Sequence, residues 1–149
     1  MQLDSTSNVL VSAEKNLLAI DTSYFRASYN STAQYLSSIK ERYFNDTVEE
    51  NTAIFLSDVY TCSGRIHYLL DSSNSLEGII SVSKRRISDL KHDLEQNVVE
   101  NNNAKKYVAY ELNVAQKTTE SIVIAIEKAK LSSIKLDSMK TRIMEIAQN

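Results

Sequence analysis

Proline is absent from this chain, and its 149 residues include only two glycines, Gly64 and Gly78. Average usage of roughly 7% Gly and 5% Pro would give about ten and about seven. Sheets and tight loops draw on glycine for positive φ and on proline for preset turns. A chain nearly free of both has few tight turns, so long helices are the expected structure.

Hydrophobic spacing supports that expectation. With position a at 80 and steps of seven, the row reads Ile80, Ile87, Leu94, Asn101, Val108, Ala115, Ile122, Ala129, Leu136, Ile143, and nine of the ten are apolar. The matching d row, Ser83, Leu90, Asn97, Ala104, Glu111, Thr118, Ala125, Ser132, Met139, Ile146, holds five apolar residues in ten. The register runs back through Leu76, Leu69, Ile66, Cys62, Val59 and Phe55. It reappears as Leu3, Leu10, Leu17 and Tyr24 on a, then shifts to a new stripe of Phe25, Tyr29, Thr32, Leu36, Ile39 and Tyr43. Either a stutter inside one helix or a break at Asp21-Thr22-Ser23 accounts for the shift.

The expected fold class is all-α: a long antiparallel helical bundle or coiled coil of three or four helices, forming a single domain over residues 1–149. Thr47 and Glu50 form a capping box after Asn45-Asp46, and Asp71-Ser72-Ser73-Asn74-Ser75 reads as a turn. The helices are therefore placed at about 7–44, about 48–71 and about 76–147. The last is either continuous or broken at the poor helix formers Asn101-Asn102-Asn103. Asn101 falls at a, where a polar residue can fix register and oligomer state.

Small and polar residues take many seam positions, and buried apolar area stabilises by only about 25 cal/mol per Å². The thin core points to a protein partner or self-association through the helix seams. Candidate contacts are Ile122, Ile126, Leu136, Met139, Ile143 and Ile146. Nine of the eleven aromatic residues precede residue 72, which suggests a thick aromatic end and a slender C-terminal helix.

Composition limits other functions. The chain carries 17 basic and 19 acidic residues, with a mild drift from −3 over residues 1–50 to +3 over 101–149. No concentrated basic face exists for nucleic acid. Lys84-Arg85-Arg86 is the one basic cluster, and Asp89, Asp93 and Glu95 nearby suggest i,i+3 and i,i+4 ion pairs. The longest apolar run, Ile122–Ile126, is five residues, against about 20 for a bilayer span. The first twenty residues hold no signal-like apolar region, so a cytoplasmic location is expected, with a trimmed signal or a signal-independent export route left open.

No catalytic, cofactor or metal residues are expected. Di-metal bundles use paired Glu-x-x-His motifs facing inward, whereas the register puts His67 at b and His92 at f, both outside. Cys62 is the only cysteine and sits at d, as a small buried apolar residue would. Two glycines cannot build a Gly-x-Ser-x-Gly elbow or a phosphate-cradling loop. Tyr107-x-x-x-Glu111 resembles the Tyr-x-x-x-Asp/Glu pattern of small helical hairpins exported by type VII secretion, although their Trp-x-Gly turn has no counterpart in a chain without Trp. The function expected is thus a non-catalytic helical interaction protein, a coiled-coil subunit or adaptor. The alternatives are a secretion-associated helical protein (substrate, chaperone or filament component) and a ligand-sensing bundle with a cavity among the tyrosines.

Overall fold

The computed structural model describes residues 2–43 and 46–148, with side chains for all of these except Gln2, Asn101 and Asn102. Among the described residues there are four α-helices and no strand: α1 (Gln2–Leu18), α2 (Thr22–Arg42), α3 (Glu50–Glu95) and α4 (Asn101–Gln148). The chain is all-α, and its helices pack as a bundle. They divide into two compact units. Unit 1 joins α1 to residues 72–95 of α3 and 101–124 of α4. Unit 2 joins α2 to residues 50–71 of α3 and 125–148 of α4.

The expected first helix over 7–44 is two helices. Asp21 caps α2, its carboxylate accepting from the Tyr24 backbone N–H at 3.0 Å. A carboxylate that satisfies an orphan N–H at this point favours starting a new helix over continuing the old one. The break resets the phase, so Phe25 is buried while Tyr24 is exposed. This explains the shift of stripe in the sequence.

The expected turn at 71–75 is helical, and α3 runs through it. Ser and Asn cost at most about 0.7 kcal/mol each in a helix, and no proline or glycine forces a stop there. Burial of Leu69 in unit 2 and of Leu76 in unit 1 outweighs that cost, at about 1.5–3 kcal/mol for each fully buried side chain. At the other end, α3 begins later than a Thr47 cap would place it. The Glu49 carbonyl accepts the first helical bond, from the Ala53 N–H at 2.9 Å. Phe44 and Asn45, part of that expected boundary, lie outside the described residues.

The expected 76–147 helix is interrupted at 96–100, ahead of the Asn triplet. Asn97 takes φ +54°. The Val98 N–H reaches the Asp93 carbonyl at 3.0 Å and the Asn97 N–H reaches that of Leu94 at 3.2 Å. This pair of bonds is a Schellman stop with Asn in the left-handed position, where Asn is the best tolerated residue after Gly. Asn101–Asn103 then form the first turn of α4, with the Glu100 carbonyl accepting from Ala104 at 2.9 Å. The register role expected of Asn101 falls on a side chain outside the described residues.

The a and d positions are the core. Unit 1 buries Leu3, Leu10, Leu17, Ile80, Ile87, Leu90, Ala115 and Ile122, with Thr6, Ser83 and Glu111 among them. Glu14–Lys84 and Asp4–Lys91, at 2.8 and 2.7 Å, run in opposite sequence order and so set α1 antiparallel to α3. Unit 2 buries Phe25, Leu36, Ile39, Val59, Ile66, Leu69, Leu136 and Ile143. There Lys135 meets Asp58 at 2.8 Å, and the Arg142 guanidinium lies 4.3 Å from the Phe55 ring centre. Tyr24 donates to Asp137 at 3.1 Å and Arg42 to the Ala147 carbonyl at 3.2 Å.

Two predictions follow from these contacts. Asn97→Val puts a β-branched residue at positive φ and is expected to cost about 1–2 kcal/mol in urea unfolding, while Asn97→Gly is expected to cost nothing. The second concerns pH. Hydrogen bonding and charge from Lys91 lower the Asp4 pKa, and Asp4 raises that of Lys91. Asp58 raises Lys135, and the hydrogen bond to Asp137 raises Tyr24. The depressed carboxyl contributes stability that is fully present above its unfolded pKa and is lost as pH falls through its folded pKa. The raised lysines and tyrosine contribute stability that is fully present below their unfolded pKa values and is lost as pH rises through their folded ones. Urea midpoints are therefore expected to fall below about pH 4 and above about pH 10.

Candidate functional site

The stripe expected to meet a partner is already covered. Ile122 is buried in unit 1, and Ile126, Leu136 and Ile143 are buried in unit 2. Met139 and Ile146 are half-buried. Residues 101–124 and 125–148 each pack with two other helical segments of their own unit, so α4 is not the slender, open helix expected. Sequence periodicity identified the seam and left unsaid which helices fill it.

The remaining sequence candidates are engaged or isolated. Cys62 is buried. The His67 ring is exposed, lies 3.0 Å from Asp71 and stacks on Tyr29 at 4.9 Å between centres. His92 is exposed. Among the described residues no three His, Cys, Asp or Glu side chains gather as a metal site, and no helix is long and apolar enough to cross a membrane. In the basic cluster, only Arg85 pairs within its own helix, with Asp89 at 3.8 Å. Lys84 reaches Glu14 and Arg86 reaches Glu111, both between helices at 2.8 Å.

Glu111 is the unusual member of this set. It occupies a d position and is 7% exposed. One oxygen takes the Arg86 pair, while Oε2 is buried and makes no hydrogen bond. Arg86 also lies 5.4 Å from the centre of the Tyr110 ring. The acid of the Tyr-x-x-x-Glu pattern is therefore internal, and only its Tyr107 is exposed.

The candidate site is a groove of about 510 Å³ in unit 1, between α1 and α4. Ser5, Thr6 and Val9 form one wall, and Leu112, Ala115, Gln116, Thr119, Glu120, Val123 and Ile124 form the other. It exists because Ser5, Thr6 and Ala115 are too short to fill the space between the two helices. Its walls are mainly apolar. Gln116 Nε2 donates to Glu120 Oε1 at 2.9 Å, and the Thr119 hydroxyl is buried without a hydrogen bond. Glu120 is the one charged residue among the described lining residues. Volumes of roughly 300–1,000 Å³ are usual for small-ligand sites.

The tyrosine-lined cavity expected for a ligand sensor is represented by two smaller grooves of unit 2, one on each side of α2. One, of about 380 Å³, includes Tyr29, Lys40, Tyr60 and His67. The other, of about 300 Å³, includes Tyr24, Tyr35, Asp137 and Lys140. Sequence reasoning missed the larger groove. Its only trace was the run of small residues that made the core look thin. A comparison of the chain with family models, curated proteins and solved structures finds no match.

The Arg86–Glu111 pair gives a direct test of the packing of α3 against α4 in unit 1. Arg86→Ala strands a buried carboxylate and is expected to cost about 2–3 kcal/mol, below the range for fully buried pairs because Arg86 is half exposed. Arg86→Met with Glu111→Leu is expected to restore or exceed the original stability by thermal unfolding.

Proposed function

We propose that the chain is a non-catalytic helical interaction protein, a coiled-coil subunit or adaptor of a protein assembly. The observation that carries this reading is the outer face of α4 in unit 2. Leu131 and Ile134 stand one helical turn apart there, 67% and 65% exposed. Single apolar residues are ordinary on a surface. Two neighbours on one helix face form the start of a seam that a facing helix can cover. The contact proposed here lies outside the buried stripe of Ile126, Leu136 and Ile143. Lys135, beside the pair, is engaged with Asp58. Self-association is the simplest form of the reading.

Sedimentation velocity across a concentration series tests it. The native chain is expected to shift toward a dimer, and Leu131→Glu with Ile134→Glu to remain monomeric with unchanged helicity. A native chain that stays monomeric throughout, and that binds the same proteins as the double variant in its source cells, would overturn the reading.

A second reading, a ligand-binding helical bundle, is favoured by the groove between α1 and α4. An apolar cleft of this volume with few polar groups is a common form of small-molecule site.

A further inference from the structure

We propose that the α1–α4 groove of unit 1 takes a small hydrophobic amine: an apolar body lying between Val9, Leu112, Val123 and Ile124, and a cationic head at Thr119 and Glu120. The proposal rests on the ligand-binding reading above and names the class of ligand.

The shape of the groove argues for a small molecule over a helix. The α4 wall runs from Leu112 to Ile124, but among the described residues the α1 wall is Ser5, Thr6 and Val9. Those three residues span about one helical turn. An incoming helix anchors through residues spaced over two turns and needs a wall of matching length on both sides. A compact apolar body needs only the short stretch where both walls stand.

Charge argues for the head group. Glu120 is exposed and, among the described residues, makes no ion pair and is the single ionisable group lining the groove. Among the described residues, its one hydrogen bond is accepted from Gln116, through Oε1. A carboxylate with acceptor capacity to spare attracts an ammonium and repels an anion. The adjacent Thr119 hydroxyl is buried and makes no hydrogen bond. Its oxygen is an acceptor awaiting a donor, and an ammonium supplies three. A carboxylate ligand would meet Glu120 with no cation among the described lining residues to offset it. A neutral alcohol could donate a single hydrogen bond to either group but brings no charge to Glu120.

Phenylbutylamine, phenylbutanol and phenylbutyrate share one apolar body and differ in head charge. Each is titrated into the full chain while the amide NMR shifts of groove residues are followed. The amine is expected to bind about tenfold more tightly than the carboxylate, with the alcohol between them. Glu120→Gln is expected to erase the amine's advantage and leave the alcohol unchanged. Val9→Trp, at the half-exposed rim, is expected to block all three with helicity intact. Ser5→Phe, on the same wall, replaces it if helicity falls. If no probe moves the groove amides, or the filled variants bind as well as the native chain, the ligand-binding reading fails and the proposal with it. If the probes bind in the groove but rank equally, or the carboxylate ranks first, the reading stands and the amine assignment is overturned.

Discussion

Close packing over short side chains governs this protein. The buried seam alternates Leu and Ile with Ala, Ser and Thr, among them Ala13, Thr32, Ser83, Ala115, Ala125, Ala129, Ser132 and Ser133. Short side chains let helix backbones approach closely but remove less apolar area from water per residue. Helix length compensates. α3 and α4 have 46 and 48 residues, so modest contributions are repeated over many turns. The Ser132 and Ser133 hydroxyls are buried without a hydrogen bond, a cost the seam carries at two of its smallest polar residues.

A seam of similar small residues discriminates weakly between one register and the next, since sliding by a heptad brings like against like. The charged contacts supply discrimination. Lys84 has Glu14 and Lys91 has Asp4 in unit 1, and Lys135 has Asp58 in unit 2. Exposed pairs of this kind add little stability, but slipping the register would break them all together. Glu111 is the stricter case, because a slip would leave its buried carboxylate without Arg86. A polar residue inside a seam that fixes alignment at some cost in stability is a recognised device. The sequence leads to Asn101 for that role, a side chain outside the described residues, and Glu111 is a further polar seam residue in a position to perform it.

Helical class and most seam positions were legible in the sequence, because the seven-residue spacing of Ile80, Ile87, Ala115, Ile122, Ala129, Leu136 and Ile143 reports directly on which side of a helix is buried. Helix ends were less legible. The serines at 72, 73 and 75 resemble a turn by local preference, but local preference is weaker than burial of the leucines on either side. Asn97 and its loop were hidden because the count from Leu94 to Val108 happens to keep phase across the loop. The groove was out of reach for a different reason. It depends on Ser5 and Thr6 facing Ala115 and Thr119 across more than a hundred residues of chain, and periodicity along one helix carries no information about its neighbour.

Cys62 gives the molecule an internal clock. The chain's single thiol is buried in unit 2, on the seam side of α3. A thiol reacts as the solvent-exposed thiolate, so a bulky reagent in solution can reach it only when the surrounding helices part. The rate at which Cys62 is modified therefore counts openings of unit 2 and is unmoved by fraying at helix ends. Motion of the helices around this one atom becomes a chemical quantity, measurable on the unaltered sequence without adding a label site.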